Sequence, residues 1–269
     1  MDNYESYRGF ASVYDTFMDD LDYEDWAEQA DALIRKYGVG GPGKKPVSEE
    51  DVLLASERNL VVDLGCGTGR LTELMVDRGY DMMGIDLSEE MLSLALERRD
   101  KMGHRTLYLC QDMREFELYG TAGTFLSTGD SINYLTEPGD LKALFDRIRT
   151  FLYPGGIFIF DFKTLHLYRD IIGENTIAED REDCSFIWYN HFDEETGINE
   201  YDLSVFVLED EKNRLYRKYE EVHRQRGLTL EEVRATAEEA GLTWLEAKDS
   251  DTHRRVTKST QRIRAVVRK

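Results

Sequence analysis

The chain is poor in three things that would each have fixed its class. Cysteine is scarce: Cys66, Cys110 and Cys184 in 269 residues are too few and too scattered for a disulfide frame or a zinc site, so a reduced compartment and no structural metal are expected. Long apolar runs are absent, and the opening MDNYESYRGF lacks the basic and apolar regions of a signal peptide. The expectation is therefore a soluble, cytoplasmic protein with no membrane role. Basic residues are outnumbered, 34 against 54 acids, for a formal net charge of −20. A surface this acidic repels phosphate backbones and anionic lipid heads, which places nucleic acid low among expected partners.

What is present is enough apolar side chain for a sizeable core, 41% of the composition, and a length that suits one elaborated core. Tyr7, Phe10, Tyr14, Phe17, Met18 and Leu21, then Trp26, Ala30, Leu33 and Ile34, recur at three- and four-residue spacing, which predicts helix over 4–36. The glycine-rich run GVGGPGKKPVSEE that follows reads as loop. From residue 59 apolar runs alternate with helical patterns: strands at 60–64, 81–86, 106–110, 124–128 and 156–162, and helices at 69–78, 88–101 and 141–152. Repeated βα units imply a parallel sheet covered on both faces, an α/β doubly wound architecture. Residues 185–191, 200–208 and 214–224 alternate like strands with no helix between them, and read as an inserted antiparallel cap of three strands. A helix at 230–240, ended by Gly241, and strands at 242–247 and 261–267 complete the core. The domain reading is a helical lid (1–36), a loop or linker (37–57), a cofactor-binding core (58–165), the β cap on the substrate side (166–227) and the end of the core (228–269).

The chemistry is carried by Leu60-Val-Val-Asp-Leu-Gly-Cys-Gly-Thr-Gly-Arg70, a strand running into three glycines and then a helix. Glycines let the backbone turn sharply and approach a ligand, and a helix N-terminus offers free N–H groups, so a nucleotide-type cofactor is expected there. The dinucleotide fingerprint needs glycine or alanine where Arg70 stands, which disfavours bound NAD. Asp86 ends the next strand about twenty residues on, where a carboxylate accepts from both ribose hydroxyls and repels a 2′-phosphate.

In these segments the sequence resembles the class I S-adenosylmethionine-dependent methyltransferases: VVDLGCGTGR is similar to the first motif, GIDLS to the ribose-binding acid, Gln111-Asp112-Met113 to the adenine-flanking segment, Thr128-Gly-Asp-Ser-Ile-Asn-Tyr134 to the motif leading into the methyl-transfer pocket, and Leu152-Tyr-Pro-Gly-Gly156 to the turn before the fifth strand. The aromatic start and the segments Phe186-Ile-Trp-Tyr-Asn-His191 and Glu220-Glu-Val-His-Arg-Gln-Arg-Gly227 are similar to a bacterial branch of small, mostly uncharacterised members. One departure is Ala122-Gly123, where many relatives begin the fourth strand with Phe-Asp.

The resemblance implies a Rossmann-like sheet of seven strands with its last strand antiparallel, S-adenosyl-L-methionine as cofactor with S-adenosyl-L-homocysteine as product, and in-line methyl transfer. It implies that Asp63 faces the methionine amino group, that Gly65, Cys66 and Gly67 approach the methionine part, and that Asp86 holds the ribose. Leu87, Met91 and Met113 would pack on adenine, Asp112 would accept from its amino group, and Thr128, at the end of the fourth strand, would also contact the cofactor. Cys66 is read as a small apolar filler, not a nucleophile. Tyr14 is the lid residue expected to reach the cofactor.

The acceptor pocket is expected above 128–133, with Asn133, Tyr134, Asp161, Trp188 and Glu221 around it and with Asp130, His223 and His191 as candidate catalytic groups. Seven basic residues crowd 254–269 with no acid. The alternation of Arg262, Arg264 and Arg268 with Ile263, Ala265 and Val267 suits a strand with a charged outer face. The expected partner is a small-molecule methyl acceptor with an N or O nucleophile, and the expected state is monomer or homodimer. The rival readings are a macromolecular acceptor, RNA or protein, and a regulatory module that holds the cofactor without turning it over.

Overall fold

The computed structural model describes residues 11–43 and 51–269. Tyr7, Phe10 and the rest of the expected start of the lid lie outside the described residues.

The single helix expected over 4–36 is two helices where it is described, α1 (Ala11–Phe17) and α2 (Tyr23–Tyr37). The break is local chemistry: the Asp22 carboxylate accepts from the Asp25 N–H at 2.9 Å, capping α2, and a cap residue must leave helical dihedrals. The stretch expected to be linker contains α3 (Asp51–Asn59). This helix escaped the periodicity test because Val52 and Leu54 stay exposed, while Arg58 pairs with Asp51 at 2.8 Å.

The core follows as β1 (Leu60–Leu64), α4 (Arg70–Asp77), β2 (Asp81–Asp86), α5 (Glu89–Met102), β3 (Leu107–Cys110), β4 (Ala122–Ser127), a 3₁₀ turn (Ser131–Tyr134), α6 (Asp140–Phe151) and β5 (Leu152–Lys163). After the cap, α7 (Leu230–Glu239), β10 (Thr243–Asp249) and β11 (Arg262–Arg268) return to the same sheet, ordered β10-β11-β5-β4-β1-β2-β3. β11 runs antiparallel between β10 and β5; the pairs joining β1 to β5 are parallel. The sheet is thus the seven-stranded Rossmann-like one, with the last strand reversed. One face buries Phe125, Phe145, Phe158 and Phe160 under α6 and α7; the other buries Ala30, Ile34, Met75 and Ile159 under α2 and α4. Order reverses between β1 and β4, the place where open α/β sheets bind ligands at their C-terminal ends.

The cap has four strands rather than three: β6 (Thr176–Asp180), β7 (Cys184–Asp193), β8 (Ile198–Asp210) and β9 (Leu215–Arg226), each antiparallel to the next. β6 is a short edge strand, exposed along most of its length, so it shows no alternation to read. Helix α1 wedges Val13 and Phe17 against Cys184, Phe186, Leu203 and Val205 of the cap, with the Phe17 and Phe186 rings 4.8 Å apart, edge to face.

The basic C-terminal stretch is a strand, but its arginines do not form an outer face. Arg264 is buried beneath α2, where it donates to Gln29 at 3.1 Å; Arg268 donates to the Tyr37 carbonyl at 2.9 Å, and Arg262 pairs with Asp130. Among the described residues no helix is long and apolar enough to cross a membrane.

Candidate active site

The glycine-rich loop between β1 and α4 folds onto the end of β2. Gly65 N–H and Cys66 N–H both donate to the Ile85 carbonyl, and Gly67 N–H donates to the Asp86 carboxylate at 2.7 Å. The second Asp86 oxygen accepts from Ser88 N–H at 2.9 Å, and Ser88 caps α5. Gly67 has φ of 54°, and a Cβ there would meet nothing within 4 Å, so its α-carbon faces open space. That open space is a cavity of about 280 Å³ above the C-terminal ends of β1, β2 and β4, close to the smallest sites that take cofactor-sized ligands.

All eleven residues assigned to the cofactor from sequence line this cavity: Tyr14, Asp63, Gly65, Cys66, Gly67, Asp86, Leu87, Met91, Asp112, Met113 and Thr128, together with Tyr134. Sequence reasoning missed Tyr23, Trp26, Arg70, Ser131 and Arg114 in the wall. Trp26 reads as a helix-packing position, and Tyr23 falls outside the helical pattern, so neither carries a signal in the sequence that points to the cavity. Arg70 was singled out for what it excludes; its guanidinium lies over the Tyr23 ring, 4.4 Å from the centroid, and donates to the Met18 carbonyl.

Burial sets the electrostatics. Asp63 accepts the Thr72 hydroxyl at 2.6 Å, yet burial, with the Asp86 charge adding, pushes its carboxyl up to about 7. Burial also raises Asp86 against three backbone N–H bonds that favour its charge. Burial drives the Tyr14 hydroxyl and the Cys66 thiol well above their ordinary ranges, so both stay protonated, and Cys66 is no nucleophile. Asp112 behaves oppositely: burial would raise it, but Arg114 outweighs burial and holds it low. Both Asp112 oxygens already accept from Arg114, at 2.5 to 3.0 Å, so the expected bond to an adenine amino group would compete with a strong pair.

Several expected pocket residues are withdrawn from the cavity. Asp130 is buried with φ of 61°, ion-paired to Arg262 and, at 2.7 Å, to Lys163. Burial alone would raise its carboxyl, but the two cations hold it below the usual range, so it is a structural hub and a poor base. Asp161 accepts from the Gly129 and Asp130 N–H groups, holding that strained turn. Asn133 is fully buried and ties β5 to β9 through the Lys163 and Arg226 backbone. Trp188 donates to Asn190 at 2.8 Å and packs on Tyr201 inside the cap. His191 points outward, its side chain 73% exposed beside Glu174, and cannot reach the cavity.

His223 and Glu221 sit one layer behind the wall. Tyr134, which lines the cavity, places its Oη 3.3 Å from His223 Nδ1, and His223 Nε2 lies 3.0 Å from a Glu221 oxygen.

The donor set fits the expected cofactor. Carboxylates at Asp63 and Asp86 suit an ammonium and ribose hydroxyls, apolar Leu87, Met91 and Met113 suit a base, and Gly67 leaves the wall open beside them. Among the described residues no three His, Cys, Asp or Glu side chains gather as metal ligands.

Comparison with known proteins agrees. A family model described as "Methyltransferase domain" matches residues 61–156. The chain is 30% identical over 236 residues to "Putative methyltransferase YqeM" of Bacillus subtilis (strain 168), spanning 87% of this chain and 85% of that protein. It is 32% identical over 103 residues to dTDP-3-amino-3,4,6-trideoxy-alpha-D-glucopyranose N,N-dimethyltransferase of Streptomyces venezuelae, spanning 38% of this chain and 42% of that protein. The crystal structure of a S-adenosylmethionine-dependent methyltransferase from Clostridium acetobutylicum ATCC 824 superimposes with a TM-score of 0.82 at 26% identity, over 97% of this chain and 98% of that one. Motifs, fold, cavity and relatives converge: the chain is an enzyme that belongs to the class I S-adenosylmethionine-dependent methyltransferases.

Proposed function

We propose that this methyltransferase acts on a small molecule, at a nitrogen or oxygen nucleophile, within the cavity that α1 and the cap cover. The observation that carries the reading is that Asp86, Tyr134 and Tyr14 of α1 line one and the same cavity of about 280 Å³, which leaves room for a donor and a small acceptor side by side. When bound, the cofactor supplies a methyl on a positively charged sulfur, ready for in-line displacement.

The residues of the chain then have to bind, orient and exclude water. Asp63 would hold the methionine ammonium and Asp86 the ribose, with Leu87, Met91 and Met113 against the base. Tyr14, Trp26 and Tyr134 would wall the acceptor, and His223 is the one candidate base left near them. The Streptomyces venezuelae relative is named as an N,N-dimethyltransferase of an amino sugar, which supports a small amine acceptor. Cytoplasmic location and a monomer or homodimer complete the proposal.

A macromolecular acceptor is favoured by one feature only, the exposed Arg254, Arg255 and Lys258 in the loop joining β10 to β11, which make no ion pair among the described residues. The deciding experiment is a metabolite screen with labelled methyl donor, wild type against Asp86→Ala, with total RNA and protein as additional acceptors. Label in a small molecule that disappears with Asp86→Ala supports the proposal. Label only in RNA or protein, or equal turnover by the variant, defeats it.

A further inference from the structure

We infer that Arg70 reads the carboxylate of the cofactor's methionine part, and so makes the enzyme selective for a methyl donor that still carries that carboxylate. The inference rests on the methyl-transfer reading and adds to it a residue that sets which sulfonium donors the site accepts.

A methionine tail is a zwitterion, so a site that holds it needs an anion for the ammonium and a cation for the carboxylate. Asp63 meets the first need. The second is pressing, because five carboxylates line the cavity, Asp63, Asp86, Asp112, Glu137 and Asp140, and a further one entering it unpaired would be repelled. Among the described residues three cations line the same cavity, Arg70, Arg114 and Arg224. Arg114 is committed to Asp112 and Asp140, and Arg224 to Glu200 at 2.6 Å. Arg70 pairs with no carboxylate among the described residues. Its partners are the Met18 carbonyl at 3.2 Å and the face of Tyr23, 4.4 Å from the ring centroid.

Both contacts leave the guanidinium ready for an anion. It carries five N–H donors in one plane, and the Met18 carbonyl uses one of its nitrogens. The Tyr23 ring lies against it and restrains it, and a restrained fork is what a carboxylate accepts from through two parallel bonds. Position in the chain agrees. Arg70 is the first residue of α4, and Thr72 in the same helical turn donates to Asp63 at 2.6 Å, so that one turn fixes both the cation and the anion. A guanidinium that only stitched the glycine-rich loop to the end of α1 would make the same contacts with Met18 and Tyr23. The two roles separate on the ligand: a stitch supports any molecule that fills the cavity, whereas a carboxylate reader supports only one that has the group. In a cavity this acidic, a ligand stripped of its carboxylate would bind the more tightly were no cation set against that group.

The test is calorimetric binding of two ligands to the full chain: S-adenosylhomocysteine, and its decarboxylated analogue, which keeps the amine and the thioether but lacks the carboxylate. The wild type should bind S-adenosylhomocysteine roughly 10- to 100-fold more tightly than the analogue, the range of a hydrogen bond between charged groups. Arg70→Gln should lose that factor for S-adenosylhomocysteine while binding the analogue as the wild type does, so that the preference vanishes or reverses. Arg70→Met, which keeps an apolar stem against Tyr23, gives the same reading should Arg70→Gln not fold. A wild type that binds the analogue as tightly as S-adenosylhomocysteine overturns the inference whatever the variants do, and so does a variant that weakens both ligands equally. Failure of the wild type to bind S-adenosylhomocysteine at all defeats the methyl-transfer reading, whereas binding that ignores the carboxylate defeats the role of Arg70 alone.

Discussion

The Thr68 hydroxyl donates to the Asp15 carboxylate at 2.8 Å, and Arg98 of α5 pairs with the other Asp15 oxygen while its Nε donates to the Thr68 carbonyl. This latch fastens α1, which carries Tyr14, to the glycine-rich loop. A second tie runs from α1's end to the cap, Arg181 to Asp19 at 2.6 Å. If cofactor is held beneath Tyr14, it should leave only when the latch opens.

Asp15→Ala removes both partners at once. The groups are partly exposed, so the latch contributes about 1 kcal/mol in the closed state, and S-adenosylhomocysteine should dissociate roughly fivefold faster. Stopped-flow fluorescence measures this rate, and Thr68→Val should move it the same way. An unchanged rate in both variants would show that α1 does not gate the cofactor.

The buried cluster around Asp130 makes a prediction about stability instead of chemistry. Arg262 and Lys163 offset the cost of burying this carboxylate, and Arg262 is itself held by Asp130 and Asp161. Breaking a buried pair by removing one member costs about 3–5 kcal/mol. Arg262→Met should therefore lower the urea midpoint sharply, a loss read by circular dichroism. A midpoint within error of wild type would mean that the pair is solvated in solution.

Gly123 explains the one departure from the family pattern. A Cβ at this position would lie 1.8 Å from the Arg58 carbonyl oxygen, so the end of α3 packs where a side chain would stand. Backbone cannot give way as a flexible side chain can, and overpacking of this kind costs about 3 kcal/mol. For a chain of this size that is a fall of roughly 6–12 °C in melting temperature for Gly123→Ala. Differential scanning fluorimetry tests it, and a melt unchanged from wild type would place α3 elsewhere.

The side of the cavity assigned to the cofactor was legible because its residues lie close in sequence: a strand end, three glycines and a carboxylate at the next strand end are fixed by one βα turn. The side assigned to the acceptor was not. Asp130, Asn133 and Asp161 stand at strand ends as a ligand site would demand, but each is consumed by a partner far off in sequence, Arg262, the Arg226 carbonyl and the Gly129–Asp130 backbone. Alternation put Glu221 and His223 on one face of a strand correctly, yet it could not show that Tyr134 stands between them and the cavity. The same long-range packing hid α3 and β6, whose stabilising contacts leave no period in their own residues.

Asp63 yields a pH dependence with two opposite signs. Burial holds its carboxyl at about 7, with the Thr72 hydroxyl opposing and the Asp86 charge adding. In the unfolded chain the group titrates near 3.9. Between about pH 4 and 7 the ligand-free native state binds more protons than the unfolded state, so stability falls as pH rises through this window, and Asp63→Asn should flatten that slope. Binding runs the other way. The cofactor's ammonium favours the ionised carboxylate, so affinity for S-adenosylhomocysteine should rise as pH increases toward 7, by up to about tenfold per unit, and level off above it. Asp86, also raised by burial, adds a slope of the same sign, which is why the variant and not the wild-type curve decides. Calorimetric titrations from pH 5.5 to 8.5 should show Asp63→Asn binding more weakly at pH 8 and with a shallower slope. If the variant keeps the full wild-type slope, Asp63 is not the group that meets the ammonium.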